Sequence, residues 1–303
     1  MKLRIGRSLS IVTSGRLGNQ LFQWALMHQI IHKSSLNEKS VFSMLEMQLP
    51  TNGHRNRLMH LVNSCPHIRI KKAKKSLKFK MKIVEKLDLY LSREAIDRVS
   101  SFFGLKYERL ALSDNYFPKR ATYIGYFQDV RQFVTVLPIL LGELSNAIQR
   151  EKKWLLEKSR MNKILGVPFQ LLHIRGGDYQ DVGNEGFGLL HKKYFIENLD
   201  LGLRTIVITD DPTYAWDSTV KFIPNAIILN PEEFDEWCAL SVASLCSRFI
   251  GSNSTFSYWC ALLANYNGAT ALLPKPFNKS GGDPETLRVS GLKFVEAWYL
   301  EQH

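Results

Sequence analysis

A short apolar run that leads into a cluster of polar residues is the feature that most constrains how this chain folds. The run from Phe169 to Ile174 has about the length of a buried parallel strand, and His173, Arg175 and Asp178 cluster at its end. In open α/β sheets ligands bind beyond the carboxyl ends of the strands, and a fixed Arg beside a glycine turn suits a diphosphate. A structural ion pair between Arg175 and Asp178 would leave the same pattern, and this stretch alone does not decide between the two.

The second half of the chain continues with short apolar strands that alternate with helical segments. The predicted strands cover 205–209, 225–229, 248–251 and 269–273, and the predicted helices cover 189–201, 234–246 and 256–264. Strands and helices that alternate at these lengths are typical of a doubly wound parallel sheet.

Two further strands in this half also end in polar residues, which are Asp210 and Asp211 after one strand and Ser252, Asn253, Ser254 and Thr255 after the other. If the strands are parallel, all three clusters lie at one edge of the sheet. Hydroxyls and free N–H groups at a helix start bind phosphate well, and an aspartate there could contact a guanine or a ribose. The structural alternatives are that Ser252 or Asn253 is a plain helix cap, and that the two aspartates only cap the helix at Pro212. Three clusters together favour a nucleotide site.

The first half opens with a strand, a glycine loop and a helix, which is the first part of a nucleotide-type βαβ unit. The strand covers 9–13 and the helix begins near Leu21; the loop contains Gly15, Arg16, Gly18, Asn19 and Gln20. The loop is neither G-x-G-x-x-G nor a Walker loop, although it could bring backbone N–H groups close to an anion or a sugar. We place the domain boundary near residue 155, which gives domains 1–155 and 156–303.

The formal net charge of +12 indicates an anionic partner, such as a nucleotide, nucleic acid or a membrane surface. Eight of the basic residues lie between Arg69 and Lys82. This stretch is either a solvated basic segment or a peripheral contact with anionic lipid or a lipid-linked diphosphate acceptor. No nucleic-acid module is recognisable, so we expect no nucleic acid partner.

The sequence shows neither a secretion signal nor a membrane span, so we expect a cytoplasmic protein, peripheral at most at the inner face of the membrane. The four cysteines lack metal or C-x-x-C spacing, and three of them lie in one apolar region, as small buried hydrophobes of a reduced protein would. No D-x-D pair occurs. We therefore expect no metal, with Arg175 and a helix terminus neutralising a leaving phosphate instead.

Five motifs, taken together and in this order, resemble those of the α-1,2-fucosyltransferases of glycosyltransferase family 11. They are GRLGNQLFQWA at 15–25, GYFQD at 125–129, HIRGGDY at 173–179, ITDD at 208–211 and SNSTFSYWCALLA at 252–264. The shorter LHKKYF at 190–195 also fits. The resemblance covers most of the chain between residues 15 and 264.

The resemblance implies a GT-B fold, with two Rossmann-like domains facing across a cleft, and a bacterial-type enzyme that builds a surface polysaccharide such as an O-antigen. It implies inverting, metal-independent transfer of L-fucose from GDP-fucose to a galactosyl 2-hydroxyl of an oligosaccharide acceptor. It also implies the following roles: Arg175 binds the β-phosphate, His173 and Asp210 or Asp211 contact the guanosine, Ser254 and Thr255 hold the diphosphate, and Asn19 reaches the fucose or the reacting centre.

The chain departs from the family pattern at two places. Family members often have Arg-Arg in the central motif, where this chain has Arg175-Gly176, and often have Trp-Trp where this chain has Tyr258-Trp259. Asp178 is the candidate for the general base by position, with orientation of Arg175 as its alternative role. Two other functions stay open: a GT-B enzyme with another donor or regiochemistry, and a non-catalytic basic scaffold that binds nucleic acid or membrane.

Overall fold

A computed structural model describes residues 10–33, 42–46, 58, 61, 68–88, 90–107, 122–181, 186–282 and 284–301. These residues belong to two compact units, an N-terminal unit (Met1–Leu140) and a C-terminal unit (Leu141–His303). The division falls within a helix at Leu137–Ala147, and the boundary expected near residue 155 lies in the next helix, Gln149–Glu157.

The C-terminal unit is built on a parallel sheet that has six strands among the described residues. The strands are β6 (Phe169–Ile174), β7 (Arg204–Thr209), β8 (Ile227–Ile228), β9 (Arg248–Ile250), β10 (Thr270–Lys275) and β11 (Leu292–Glu296). Their order in the sheet is β11-β10-β9-β6-β7-β8, so that β6 and β9 are central neighbours and the order reverses between them. This is the strand order of a dinucleotide-binding fold, whose ligands bind at the reversal point.

The sheet of the C-terminal unit is buried because helices and short turns cover its strands. All six residues of β6 are buried, which is why the sequence there reads as an almost unbroken apolar run. The helices of this unit are α4 (Leu137–Ala147, which contains the unit boundary), α5 (Gln149–Glu157), α6 (Ser159–Leu165), α7 (Lys192–Glu197), α8 (Pro212–Ser218), α9 (Glu236–Ala243) and α10 (Thr255–Tyr266). Short 3-10 turns cover Gly177–Gln180, Val220–Phe222 and Glu285–Leu287.

The N-terminal unit contains a second parallel sheet, with five strands among the described residues. These are β1 (Ser10–Thr13), β2 (Phe42–Glu46), β3 (Ile68–Lys72), β4 (Leu105–Tyr107) and β5 (Thr122–Ile124), in the order β3-β2-β1-β5-β4. The helices are α1 (Leu17–Lys33), α2 (Lys75–Asp88) and α3 (Arg93–Phe102), and 3-10 turns cover Val130–Gln132 and Val134–Val136. An apolar cluster that includes Val12, Met81, Val84, Ile96 and Ile124 joins α2 and α3 to the sheet.

Most predicted elements of the C-terminal unit are confirmed within a few residues. One exception is the helix predicted for 189–201, which is only α7, Lys192–Glu197. Another is β11, which was not predicted. Cys238, Cys246 and Cys260 are buried free thiols, and burial raises the pKa of Cys246 to about 12. Cys65 and much of the unpatterned segment that begins at Ser34 lie outside the described residues. None of the described helices combines the length and the apolar character needed to cross a membrane.

Candidate functional site

Arg175 follows β6 directly and is held between two carboxylates. Its Nη1 lies 2.5 Å from Asp210 Oδ2, and its Nη2 contacts Asp178 Oδ1. The Arg175 side chain is only 11% exposed, whereas those of Asp210 and Asp178 are 22% and 42% exposed. The buried Nε–H of Arg175 has no hydrogen-bond partner among the described residues. A buried donor without an acceptor is uncommon in folded proteins, so we read the Nε–H as a donor for a ligand.

The ring of Tyr179 completes the surroundings of Arg175. The guanidinium carbon lies 5.0 Å from the centre of the Tyr179 ring, and this ring stacks on Phe187. The Tyr179 hydroxyl donates to the backbone carbonyl of Asn253 at 3.0 Å. Tyr179 therefore connects the end of β6 to the loop after β9. Its ring face also stabilises the positive charge of the Arg175 guanidinium.

His173 is buried near the end of β6, two residues before Arg175, and contacts the loop after β9. Its Nδ1 lies 3.1 Å from Ser252 Oγ, and its ring meets the Phe256 ring edge-on. Burial lowers the pKa of His173 to about 4; the Asp210 carboxylate raises it and the Arg175 guanidinium lowers it by smaller amounts. His173 is therefore neutral at pH 7, so it acts as a hydrogen-bonding group and not as a cation.

The two aspartates after β7 have different roles. Asp210 accepts the backbone N–H of Gly176 at 3.1 Å through Oδ1, in addition to its ion pair with Arg175. Asp211 caps α8, since its Oδ1 accepts the N–H of Tyr214 at 2.9 Å, and its Oδ2 accepts from Gln180. The cap alternative is thus confirmed for Asp211, whereas Asp210 belongs to the Arg175 cluster.

The residues of the polar loop after β9, 252–255, make different contacts. Ser254 is the N-cap of α10 and accepts the N–H of Ser257 at 3.0 Å, so the cap is neither Ser252 nor Asn253. The Asn253 side chain donates to the carbonyls of Phe187 and Gly188 at 2.7 and 3.0 Å. Thr255 begins α10 and is half-buried. The start of α10 therefore lies at the same sheet edge as Arg175, as the sequence predicted from parallel strands.

The glycine loop of the N-terminal unit is fixed by glutamines of α1. Gln20 is 2% exposed and donates to the Gly15 carbonyl at 2.9 Å. Gln23 donates to the Gly125 carbonyl at 2.8 Å and to Ser14 Oγ at 3.1 Å. Gln128 in turn donates to Asn19 Oδ1 at 3.1 Å. The motifs at 15–25 and 125–129 thus form one loop pair that orients Asn19.

Gly15 has a positive φ of 75°, and a Cβ there would lie 2.5 Å from Asn19 Nδ2. A glycine is therefore required for the close approach of Asn19. Arg16 is half-buried beside it, and Gly18 is buried in the first turn of α1.

The structure therefore brings His173, Arg175, Asp178, Asp210 and the loop from Ser252 to Thr255 to one edge of the C-terminal sheet. Sequence reasoning assigned no role to Tyr179, Tyr214 or Gln128, although Tyr179 and Gln128 lie inside the motifs that carried the resemblance. The described residues contain no cluster of three or more His, Cys, Asp or Glu side chains arranged to hold a metal ion.

Comparison with known sequences identifies the class of protein. The family described as Glycosyl transferase family 11 matches residues 8–283. The chain belongs to this family, which confirms the resemblance seen in its motifs. One relative is the O-antigen biosynthesis glycosyltransferase WbnK of Escherichia coli, which is 26% identical over 303 residues, covering 86% of this chain and 92% of the relative.

Comparison with solved structures supports the predicted GT-B fold of two α/β units. The family 9 glycosyl transferase of Veillonella parvula overlaps with a TM-score of 0.51 at 10% identity, covering 98% of this chain and 87% of the other. The fucosyltransferase NodZ of Bradyrhizobium overlaps with a TM-score of 0.48 at 10% identity, covering 85% of this chain and 92% of NodZ. At such low identity the likeness to the family 9 enzyme shows the fold alone.

Proposed function

We propose that this glycosyltransferase is a galactoside α-1,2-fucosyltransferase, which transfers L-fucose from GDP-fucose to the 2-hydroxyl of a galactosyl residue. The transfer inverts the donor's β-linkage to an α-linkage and needs no metal ion. The product is a surface polysaccharide such as an O-antigen repeat, in keeping with the name of the Escherichia coli relative as an O-antigen biosynthesis glycosyltransferase. The acceptor is an oligosaccharide, lipid-linked in the cell and presented at the inner face of the membrane.

The observation that carries this proposal is the buried Arg175 at the carboxyl end of the central strand β6. Its Nε–H is a charged donor without a partner among the described residues. The N-terminus of α10 follows the neighbouring strand β9 at the same edge and adds backbone N–H groups and a partial positive charge. Together they suit a diphosphate whose negative charge grows as the sugar departs.

The chemistry requires help for the departing GDP and a group that takes the proton of the acceptor hydroxyl. In this proposal Arg175 supplies the first, because a fixed guanidinium stabilises charge that develops on the leaving phosphate without having to reorganise. Asp178 is the candidate for the second, since it is the most exposed carboxylate of the cluster. In the structure it contacts Arg175, so a bound diphosphate would compete with it for the guanidinium.

The remaining predicted ligands fit this scheme in different ways. Ser254 and Thr255, at the start of α10, bind the diphosphate. Neutral His173, Ser252 and Asp210 contact the guanosine. Asn19, with its loop residues Gly15, Arg16, Gly18 and Gln20, is proposed to serve the fucose or the reacting centre from the N-terminal unit.

Calorimetric titration of the full chain with GDP-fucose, GDP and GDP-mannose, with and without EDTA, tests the donor and the metal requirement together. We expect micromolar binding of GDP and GDP-fucose that EDTA does not change. Transfer to a β-galactoside, followed by determination of the new linkage by NMR, tests the regiochemistry. Absence of guanine-nucleotide binding would contradict the proposal, and a linkage to another hydroxyl would favour the related GT-B enzyme of different regiochemistry.

A further inference from the structure

The N-terminal unit contains a cavity of ≈ 380 Å³ that is separate from the glycine loop. The cavity lies between the sheet, the start of α2 and the segment 103–105 that follows α3. The residues that line it are Ser10, Ser43, Lys71, Lys72, Lys74, Ser76, Leu77, Lys80, Phe103, Gly104, Leu105 and Thr122. Its volume is within the range of pockets that bind small molecules, which is roughly 300–1,000 Å³.

The floor of the cavity is a row of hydroxyl side chains across three neighbouring strands. Ser10 pairs in register with Ser43 on one side and with Thr122 on the other, so the three side chains share one face of the sheet. Ser10 and Thr122 are the first residues of their strands. The floor therefore lies toward the amino ends of the parallel strands, whereas the glycine loop follows the carboxyl end of β1.

The rim of the cavity carries four lysines. Lys71 and Lys72 end β3, Lys74 precedes α2, and Lys80 lies on α2 and donates to the Phe103 carbonyl at 3.3 Å. No Asp or Glu is among the described lining residues. Within the described part of the chain, none of these four lysines forms a salt bridge.

We propose that this cavity is a second anion site, which binds the phosphate or diphosphate group of a ligand other than the sugar donor. Ammonium groups at the rim and hydroxyl groups on the floor are all hydrogen-bond donors, and together they match a compact anion with several acceptor oxygens. The four lysines create a positive potential that a doubly charged phosphate group relieves. The inference does not rest on the proposed function, since the cavity lies wholly within the N-terminal unit.

A lipid head group is the source of phosphate that the surface around the cavity favours. The helices beside the cavity carry large apolar side chains that are exposed to solvent: Phe79 is 68% exposed on α2 and Phe102 is 86% exposed at the end of α3. Tyr90 and Leu91 between the two helices are also exposed. Aromatic side chains interleaved with lysines are typical of surfaces that lie in a membrane interface, where the lysines meet anionic head groups.

Two variants of equal charge test the site. In the cavity variant, Lys71, Lys72 and Lys74 are replaced by Gln; in the control variant, Lys75, Lys82 and Lys86 are replaced by Gln. The control lysines are exposed on α2 and do not line the cavity. All six positions are exposed, so both variants are expected to fold. Thermal unfolding of each variant, compared with that of the native chain, verifies that the substituted protein is folded.

Binding is measured by sedimentation with vesicles of phosphatidylglycerol and phosphatidylcholine, and by calorimetry with inorganic pyrophosphate. We expect the native chain to bind the anionic vesicles and the cavity variant to bind them about a hundredfold more weakly. The loss of vesicle affinity in the control variant should be several-fold smaller than that in the cavity variant. Pyrophosphate should bind the native chain and the control but not the cavity variant. Pyrophosphate binding without vesicle binding would keep the site and assign it to a soluble phosphate compound.

Two outcomes would overturn the proposal. Equal loss of vesicle binding in both variants, without pyrophosphate binding, would mean that only diffuse surface charge attracts the membrane. Absence of binding of both probes to the folded native chain would mean that the cavity is not an anion site.

Discussion

Asp210 contacts Arg175 with one carboxylate oxygen and the backbone N–H of Gly176 with the other. This carboxylate thus fixes the guanidinium and also Gly176, the residue between Arg175 and the turn at Gly177–Gln180. Asp210 is therefore a positioning residue for Arg175 in addition to any contact it makes with the donor. The relationship joins the ends of β6 and β7, which are neighbours in the sheet.

Replacement of Asp210 by Asn should lower the rate of transfer by about 10–100-fold, because an amide holds the charged guanidinium less firmly and leaves the Gly176 N–H with a weaker acceptor. The effect should appear mainly in kcat, since the arginine is still present to bind the diphosphate. Steady-state kinetics with GDP-fucose measures both parameters. A pure rise in KM at unchanged kcat would instead indicate a donor-binding role alone.

Replacement of Arg175 by Ala should reduce transfer by about 100- to 1,000-fold or more, because the proposed charge stabiliser of the leaving diphosphate is lost. Arg204→Ala is the matched control. Arg204 begins β7 at the opposite edge of the sheet, is exposed, and donates to the carbonyls of Lys163 and Ile164. Initial rates and thermal unfolding should be compared for the two variants. Near-normal turnover of a folded Arg175→Ala protein would refute the assigned role.

Replacement of Asp178 by Asn should tighten the binding of GDP by about two- to fivefold. Asp178 contacts the same guanidinium that is proposed to bind the diphosphate, so removal of its negative charge removes a competitor; its partial exposure keeps the effect small. Calorimetric titration with GDP measures the change. Weaker binding in this variant would show that Asp178 supports the nucleotide site instead of competing with its ligand. If Asp178 is also the base, transfer falls strongly in the same variant.

The stability of the protein should decrease as the pH falls from about 6.5 toward 4, in part because of His173. Its pKa is lowered from 6.5 to about 4 in the folded state, so that in this window the unfolded chain binds a proton that the folded chain does not. Burial lowers the pKa of His28, in the N-terminal unit, to about 4 in the same way. For each of the two histidines, the expected maximal loss in the free energy of unfolding is on the order of 3 kcal/mol.

Thermal unfolding of His173→Gln, His28→Gln and the native chain at pH 7 and pH 5 checks this expectation. Each variant should lose less stability between the two pH values than the native chain loses. Equal losses in all three proteins would show that other groups, such as the carboxylates, cause the whole dependence.

The edge of the C-terminal sheet could be predicted from the sequence because strands buried on both faces are apolar throughout. The polar residues that follow β6, β7 and β9 then have to meet, as they do. The division of roles within the clusters could not be predicted, because it depends on side-chain direction. Asp210 and Asp211 are adjacent in sequence, yet one pairs with Arg175 and the other caps α8.

Errors in the predicted elements have long-range causes. The helix predicted for 189–201 stops at Glu197 in part because the side chain of Gln170, in the central strand, binds both the N–H and the carbonyl of Asp200. The basic run that begins at Arg69 starts within β3, a strand at the edge of its sheet, where exposed lysines discourage pairing with other chains. Neither cause leaves a local pattern in the sequence.

The packing of Tyr214 against Gly176 links two positions that are far apart in the chain. A Cβ at position 176 would lie 2.6 Å from Tyr214 Cδ1, so no side chain fits there while the tyrosine ring is present. Replacement of Gly176 by arginine, beside Arg175, therefore requires either a displaced Tyr214 ring or a smaller residue at position 214.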